Sequence, residues 1–160
     1  LELSRLDAGQ EPMQHEPCDL AAVAQDCLDL MQTLAEARQI TIEAQLETAP
    51  CHGDAQRLGQ VVINLLSNAI EHTKHHIRII TRRENGHVIL TVTDNGPGIA
   101  PEHLPHLFER FYRADSSRHG TQHNGLGLAI SKAIVEAHGG DIQGANIPSG
   151  GAEFVLKLVA

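Results

Sequence analysis

Four polar residues recur every fourth position along the most regular helical pattern of the chain: Gln60, Asn64, Asn68 and His72. This spacing places them on one face of a helix, about one turn apart. Asparagine has poor helix propensity because its side chain competes with the backbone for hydrogen bonds. Two asparagines in mid-helix therefore indicate either a solvated face or a function. Amide oxygens suit Mg²⁺, which binds through one or two protein groups together with substrate phosphates.

A second candidate is an aspartate that ends a predicted strand. The alternation of Val88–Thr93 puts Asp94 on the same face as three apolar residues, so we expect its carboxylate to point toward the core. A buried carboxylate needs hydrogen-bond partners, and the exocyclic amine of adenine is a suitable one. Gly96 and Gly98 would let the backbone approach a base closely. The alternative is an ordinary Asp-Asn-Gly turn with an exposed aspartate.

Two further segments could contact an anion. Gly125–Leu128 opens a predicted helix after a long polar stretch, and the backbone N–H groups and dipole of a helix N-terminus favour negative charge. Phe108–Arg113 carries Arg110 and Arg113, which could contact phosphate oxygens. The alternatives are a flexible helix entry for the first segment and a hinge with solvated arginines for the second.

The hydrophobic pattern predicts the elements that position these residues. Asp19 is a plausible N-cap for the first helix, whose inward stripe is predicted to include Leu30 and Leu34, and Asp54 caps the second. Asn85-Gly86 is a hairpin signal, and Pro50–Gly53 is predicted to be a turn. Helices are predicted over 20–38, after Asp54 and over 126–138, and strands over 40–46, 77–83, 88–93, 142–147 and 153–159. Hairpin strands interleaved with helices favour an α+β sandwich, in which helices cover one face of a mixed sheet.

Composition narrows the class of protein. The chain has 160 residues, 41% of them apolar, and a net charge of −8. This suits one globular domain that needs no disulfide or metal to hold its core. The acidic balance and the four aromatic residues argue against a nucleic-acid partner. Three cysteines without a CxxC spacing argue against a disulfide framework and suit a reducing compartment.

Each signal is weak singly, but their order and spacing strongly resemble the ATP-binding catalytic domain of bacterial sensor histidine kinases. The segments look like that family's Asn box, first glycine box, Phe box and second glycine box: residues 64–73, 94–99, 108–111 and 125–130. The resemblance covers about residues 18–159. It implies the Bergerat ATP-binding sandwich shared with gyrase and MutL, with a mixed, mostly antiparallel sheet of about five strands covered on one face by three helices.

The resemblance also implies a domain organisation. Residues 1–10 resemble the end of a preceding dimerisation and phosphotransfer helix, residues 11–17 would be a linker, and residues 18–160 would form the catalytic domain. His15-Glu16 is the only His-acid pair, and it lies between Pro12 and Pro17, which prevent a continuous helix. We therefore expect the phosphoacceptor histidine to lie outside this chain.

The resemblance implies ATP and Mg²⁺ as cofactors. Asn68 matches the metal-binding asparagine, Asn64 lies one turn before it as a second metal ligand, and Asp94 matches the adenine-binding aspartate. Gyrase-type ATPases carry a general-base glutamate at the position of Asn64, and an amide cannot act as a base. Asn64, Asn68 and Arg113 are the implied catalytic residues. The remaining implied nucleotide contacts are His72, Lys74, Gly96, Gly98, Ile99, Arg110, Arg113, Gly125, Leu126, Gly127 and Leu128.

Two positions depart from the family pattern. Many members have lysine where Glu71 stands, reaching a phosphate, so His72 or Lys74 would substitute or the contact would be missing. Many members have threonine where this chain has Ala152, which would weaken one water-mediated contact to adenine.

The predicted function is transfer of the ATP γ-phosphoryl group to a histidine on a separate dimerisation domain of the same receptor, with a response regulator as the next partner. Three alternatives stay open: a nucleotide-binding but catalytically degenerate module, favoured by Glu71; a superfamily ATPase, disfavoured by Asn64; and an interaction domain without a nucleotide site. The fragment is expected to be a cytoplasmic monomer, inactive alone, and the full-length protein a homodimer in the bacterial inner membrane.

Overall fold

The computed structural model describes residues 12–109 and 127–160. In chain order the described elements are β1 (Glu16–Asp19), α1 (Leu20–Ala37), β2 (Thr41–Leu46), β3 (Pro50–Gly53), α2 (Ala55–His72), β4 (His76–Glu84), β5 (His87–Asp94), a 3₁₀ turn (Leu104–His106), α3 (Gly127–Ala137), β6 (Asp141–Asn146) and β7 (Ala152–Val159). The three helices and five of these strands were predicted from the sequence.

Five strands form one mixed sheet in the order β2-β4-β5-β7-β6. The pair β2–β4 is parallel, and the other three pairs are antiparallel. The β4–β5 hairpin turns at Asn85 and Gly86, whose φ angles of 53° and 78° fit the two-residue turn that matches the twist of the strands. The predicted five-stranded, mostly antiparallel sheet is confirmed.

One face of this sheet carries the core. On β5, Val88, Leu90 and Val92 are buried, and the residues opposite them on β7, Leu158, Leu156 and Phe154, are buried as well. All three helices pack on the sheet, α1 against β2, α2 against β5 and α3 against β6. The fold is therefore the predicted α+β sandwich.

The central helix α2 has the most complete apolar stripe. Seven apolar residues at helical spacing are buried: Leu58, Val61, Val62, Leu65, Leu66, Ala69 and Ile70. Asp54 caps the helix, as predicted, by accepting a hydrogen bond from the backbone N–H of Arg57. Burial by itself would raise the pKa of Asp54, but hydrogen bonds from the N–H groups of Gln14 and Arg57, together with the Arg57 charge, lower that pKa below its ordinary value.

The inward face of α1 differs from the prediction. Leu30 is 73% exposed and Leu34 is 41% exposed, whereas Leu28 is buried. The reason is a close crossing with α2, where the Cys27 thiol lies 3.4 Å from the carbonyl oxygen of Gly59. This contact centres the buried face near Cys27 and Leu28, so Leu30 falls at the edge of that face. Leu34 lies on the same side of the helix as Cys27, but two turns further along, near the end of α1.

A second, two-stranded sheet was missed by the sequence analysis. Strands β1 and β3 pair antiparallel, with Cys18 opposite Cys51. The predicted turn at Pro50–Gly53 was wrong, because these four residues are strand β3. Glu16 and Pro17, the last residues of the predicted linker, belong to β1. Both strands are only four residues long and contain proline, so neither shows the alternation by which strands are recognised.

Candidate active site

Asp94 lies at the end of β5 with its side chain on the core face, as predicted. It is 7% exposed. Its Oδ1 accepts hydrogen bonds from the backbone N–H of Gly96 at 2.7 Å and from that of Ala152 at 3.4 Å. Within the described residues nothing donates to Oδ2, so one oxygen holds the local backbone while the other is available to a ligand with a donor group.

Close backbone contacts explain two glycines around Asp94. A Cβ at Gly96 would lie 2.1 Å from the carbonyl oxygen of His72, so the loop after β5 touches the end of α2. A Cβ at Gly151 would lie 2.0 Å from the carbonyl oxygen of Asp94, and its φ of 103° strongly favours glycine. Backbone therefore approaches Asp94 from two sides, where side chains would not fit.

Two asparagines that the sequence analysis did not assign fix the loop that follows Asp94. The Asn95 side-chain oxygen accepts from the Thr73 hydroxyl at 2.8 Å and from three backbone N–H groups of residues 74–76. The Asn146 amide accepts from the Ile99 N–H at 2.6 Å and donates to the Ile99 carbonyl at 2.7 Å. The loop is tied at one end to the segment between α2 and β4, and at the other end to β6. Asn95 had a sequence signal in its Asp-Asn-Gly context, whereas Asn146 had none.

The polar row on α2 is half-buried at Asn64 and Asn68 and exposed at His72. The Asn64 amide nitrogen donates to the carbonyl oxygen of Gly127 at 3.0 Å and to the Ser131 hydroxyl at 3.1 Å. Because an amide group is planar, the Asn64 oxygen points away from these partners. The row thus joins the start of α3, at Asn64, to the Asp94 loop, at His72, over about 12 Å of helix.

Asn68 differs from Asn64 in its contacts. In the described part of the chain its side-chain amide makes no hydrogen bond, although it is half-buried. It lies between Asn64, which bonds Gly127 of α3, and His72, whose carbonyl oxygen lies against Gly96. A half-buried amide without protein partners can bind a ligand or an ion without breaking an existing hydrogen bond.

We predict that Asn64→Ala lowers the free energy of unfolding by about 1–3 kcal/mol, because it removes both hydrogen bonds by which α2 holds the Gly127 carbonyl and the buried Ser131 hydroxyl of α3. Urea denaturation without nucleotide measures this loss. The matched control is Asn68→Ala, one turn later on the same face, for which we expect a change of about 0.5 kcal/mol or less. Equal losses for the two variants would contradict a tie between α2 and α3 through Asn64.

The remaining predicted site residues fall into four groups. Gly98 has a φ of 84°, and Ile99 carries the backbone bonded by Asn146. Lys74 lies in the loop after α2 with an exposed side chain, beside Asn95 and not beside Gly127. Gly127 and Leu128 open α3, and Leu128 packs against the core. Arg110, Arg113, Gly125 and Leu126 lie outside the described residues, as do residues 1–10.

The described part of the Phe box packs where it can support the site. Phe108 meets Phe154 edge to face, with ring centroids 6.3 Å apart, and the Lys132 ammonium lies 5.5 Å from the Phe108 ring centre. Lys132 is on α3 and Phe154 is on β7, so Phe108 connects the segment before residue 110 to two elements beside the site. Phe108 is partly buried and packs against the hydrophobic core.

The described fold is an α+β sandwich in which a buried aspartate, Asp94, ends a central strand near the asparagine-bearing helix α2. The family described as histidine kinase-, DNA gyrase B- and HSP90-like ATPase matches residues 53–160. The chain belongs to this family. Its relatives include the signal transduction histidine-protein kinase AfsQ2 of Streptomyces coelicolor, 35% identical over 99% of this chain, and the probable sensor histidine kinase TcrY of Mycobacterium tuberculosis, 41% identical over 98%.

Solved structures of histidine kinases superpose well on this chain. The mycobacterial sensor histidine kinase MprB superposes with a TM-score of 0.80 at 30% identity, over 91% of this chain and 97% of that one. The catalytic domain of the histidine kinase ThkA superposes with a TM-score of 0.82 at 28% identity, over 92% and 96%. This chain corresponds to the catalytic ATP-binding part of a sensor histidine kinase, and it spans 29% of AfsQ2 and 33% of TcrY.

Proposed function

We propose that this chain binds Mg²⁺-ATP and transfers the γ-phosphoryl group to a histidine on a separate dimerisation domain of the same receptor. The observation that carries the proposal is the buried Asp94, whose Oδ1 is held by backbone N–H groups while no described residue donates to its Oδ2. In this proposal the Asp94 Oδ2 accepts a hydrogen bond from the exocyclic amine of adenine. A related chain, full-length ShkA, was solved in complex with AMPPNP and superposes with a TM-score of 0.84 at 27% identity, over 99% of this chain and 34% of that one.

The nucleotide would lie along the polar row of α2. With the base at Asp94, its phosphates would extend from the Gly96 end of the row toward Gly127, where the N-terminus of α3 favours negative charge. His72 lies next to Gly96, at the end of the row where the base would bind. We therefore expect His72 to contact the base or the ribose and not the phosphates. Lys74 also lies at this end, beside Asn95.

The residues present fit a magnesium ion beside the phosphates. Asn68 has a half-buried amide without a described protein partner, and no described residue donates to the Asn64 oxygen, while the Asn64 nitrogen is bonded to α3. Asn68 and Asn64 would hold the ion through these neutral oxygens, with phosphate oxygens completing its shell. Bound there, Mg²⁺ would neutralise charge on the transferring group.

The chain's own groups would contribute positioning rather than acid–base chemistry. Asn64 cannot take a proton from water, which favours phosphoryl transfer over ATP hydrolysis. Arg110 and Arg113 would supply positive charge to the phosphates, and Gly125, Leu126, Gly127 and Leu128 would bring backbone N–H groups close to them. Gly98 and Ile99 would border the base, where Asn146 holds the backbone.

The test of this function is transfer of labelled γ-phosphate from Mg²⁺-ATP to a separately supplied histidine-bearing hairpin domain. We expect acid-labile, base-stable phosphohistidine on the hairpin and little hydrolysis by this chain alone. Binding of ATP without transfer would favour the degenerate module, for which Glu71 is the specific observation. Appreciable hydrolysis without the hairpin would favour a superfamily ATPase, and no thermal stabilisation by ATP would favour an interaction domain.

We predict that Asn68→Ala weakens ATP binding about tenfold in Mg²⁺ and leaves it nearly unchanged in EDTA, because only the metal-dependent part of the affinity is lost. Titration calorimetry under the two conditions measures the difference. Ser67→Ala is the control, since residue 67 points about 100° away around the helix. An equal loss with and without Mg²⁺ would argue against a metal role for Asn68.

The whole protein would be a homodimeric receptor of the bacterial inner membrane, with this part in the cytoplasm and a response regulator as its next partner. The resemblance to sensor histidine kinases supports this assignment. Among residues 12–109 and 127–160, no helix is both long enough and apolar enough to cross a bilayer.

A further inference from the structure

Two cysteines that are far apart in sequence face each other across the β1–β3 sheet. Cys18 and Cys51 are direct partners in the antiparallel register, and their sulfur atoms are 3.6 Å apart. They are 33 positions apart in the chain, and both thiols are free. The nucleotide site described above uses neither of them.

The backbone geometry of this pair suits a disulfide. Directly opposite residues of an antiparallel pair have Cα atoms about 4.5 or 5.5 Å apart, depending on whether they are a hydrogen-bonded pair. Both values lie within the range of about 4.4–6.8 Å found for disulfides. Rotation of the two side chains can therefore bring the sulfurs into bonding distance without a shift of either strand.

The two thiols differ in accessibility and in chemistry. Cys18 is partly exposed, whereas Cys51 is 4% exposed. Burial, followed by the hydrogen bond with Cys18 and nearby negative charge, raises the pKa of Cys51 to about 12, so this thiol keeps its proton at neutral pH. Cys18 is therefore the sulfur that an oxidant in solution meets first, and Cys51 is the thiol placed to react with it afterwards.

We propose that Cys18 and Cys51 form a reversible intramolecular disulfide, a thiol-modification site that fastens β1 to β3. With a peroxide as oxidant, the Cys18 sulfur attacks one peroxide oxygen and becomes a sulfenic acid as one water leaves. The Cys51 sulfur then attacks the Cys18 sulfur, and the departing hydroxide takes the Cys51 proton as a second water. Two thiols and one hydrogen peroxide thus give one disulfide and two waters.

The site of this bond is where the chain enters the described domain. Among the described residues, non-covalent contacts hold β1. Its backbone pairs with β3, and Asp19 accepts from Ala49 N–H at 2.8 Å. Just before the strand, Gln14 N–H donates to the Asp54 carboxylate at 3.1 Å. A Cys18–Cys51 bond would make this attachment covalent and would close a loop that contains α1 and β2. It would let the oxidation state set how firmly the entering segment is held, a role that is independent of nucleotide binding.

The test uses the purified chain, exposed to hydrogen peroxide and then to a reducing agent. We expect the intact mass to fall by about 2 Da, for two hydrogen atoms, and to recover on reduction. Peptide mapping should join the peptides of Cys18 and Cys51. Because the cross-link closes a long loop, we expect the thermal midpoint of the oxidised chain to rise by roughly 5–10 °C.

Two variants make the test specific. Cys18→Ser should abolish both the mass loss and the rise in the midpoint. Cys27→Ser should preserve both, because Cys27 lies elsewhere, buried between α1 and α2. Oxygen added to Cys18 without a cross-link, a covalent dimer, a bond to Cys27, or a mass loss that persists in Cys18→Ser would each overturn the proposal.

Discussion

Replacing Asp94 with alanine is expected to weaken ATP binding by about ten- to a hundredfold, the equivalent of losing one charge-assisted hydrogen bond of roughly 1.5–3 kcal/mol. Alanine also leaves the buried Gly96 N–H without its acceptor. The loop therefore changes together with the base contact, and a second variant is needed to separate the two effects.

Asp94→Asn separates them. The asparagine oxygen can still accept from the Gly96 N–H, while its NH₂ group takes the place of Oδ2 and faces the adenine amine, donor against donor. ATP affinity should again fall by about ten- to a hundredfold. Inosine triphosphate carries an oxygen in place of that amine, so its affinity relative to ATP should rise at least about tenfold.

Calorimetric titration of both nucleotides, with each variant, checks this prediction. Asp141→Asn is the control, because Asp141 is an exposed aspartate at the start of β6. Unchanged ATP affinity in Asp94→Asn, or equal losses for ATP and inosine triphosphate, would contradict recognition of adenine by Asp94.

The second large effect is expected at Gly151. A methyl group there would lie 2.0 Å from the Asp94 carbonyl oxygen, which is backbone at the end of a central strand and cannot easily move. Gly151→Ala also forces alanine into a φ of 103°. We expect the free energy of unfolding to fall by about 3 kcal/mol or more, and nucleotide binding to weaken with it, because the displaced carbonyl belongs to Asp94.

Gly150 provides a matched control. Its φ of 109° is nearly the same, but a methyl group there would meet nothing within 4 Å. Gly150→Ala should therefore show only the backbone strain, about 1 kcal/mol. Urea denaturation measures the free energy of unfolding of both variants, and the difference between them gives the cost of the clash. Equal destabilisation would show that Gly151 does not lie closely against Asp94.

Much of the site could be predicted because it depends on local pattern. The alternation in Val88–Thr93 was enough to place Asp94 on the buried face, and the structure agrees. Four-residue spacing put Asn64, Asn68 and His72 on one face of α2, also as found. In both cases the geometry of a single strand or helix fixes the direction of a side chain.

Other features could not be predicted because they join distant parts of the chain. Asn146 is 47 positions from Ile99, and only the pairing of β6 with β7 brings it to the loop. The link from Asn64 to Gly127 depends on how α3 packs beside α2. Leu30 was assigned inward because its spacing fits a helical stripe, and the crossing at Gly59 turned it outward.

By itself, the sequence determined the kind and order of the three helices and of the five strands of the main sheet, and the faces that Asp94 and the α2 asparagines occupy, because hydrophobic periodicity and capping act within a few residues. The tertiary structure decided which of those faces meet. It paired β1 with β3, placed the Cys18 and Cys51 sulfurs 3.6 Å apart, and gave Asn64 a partner 63 positions away. Such contacts arise from long-range packing, for which neighbouring residues carry no signal.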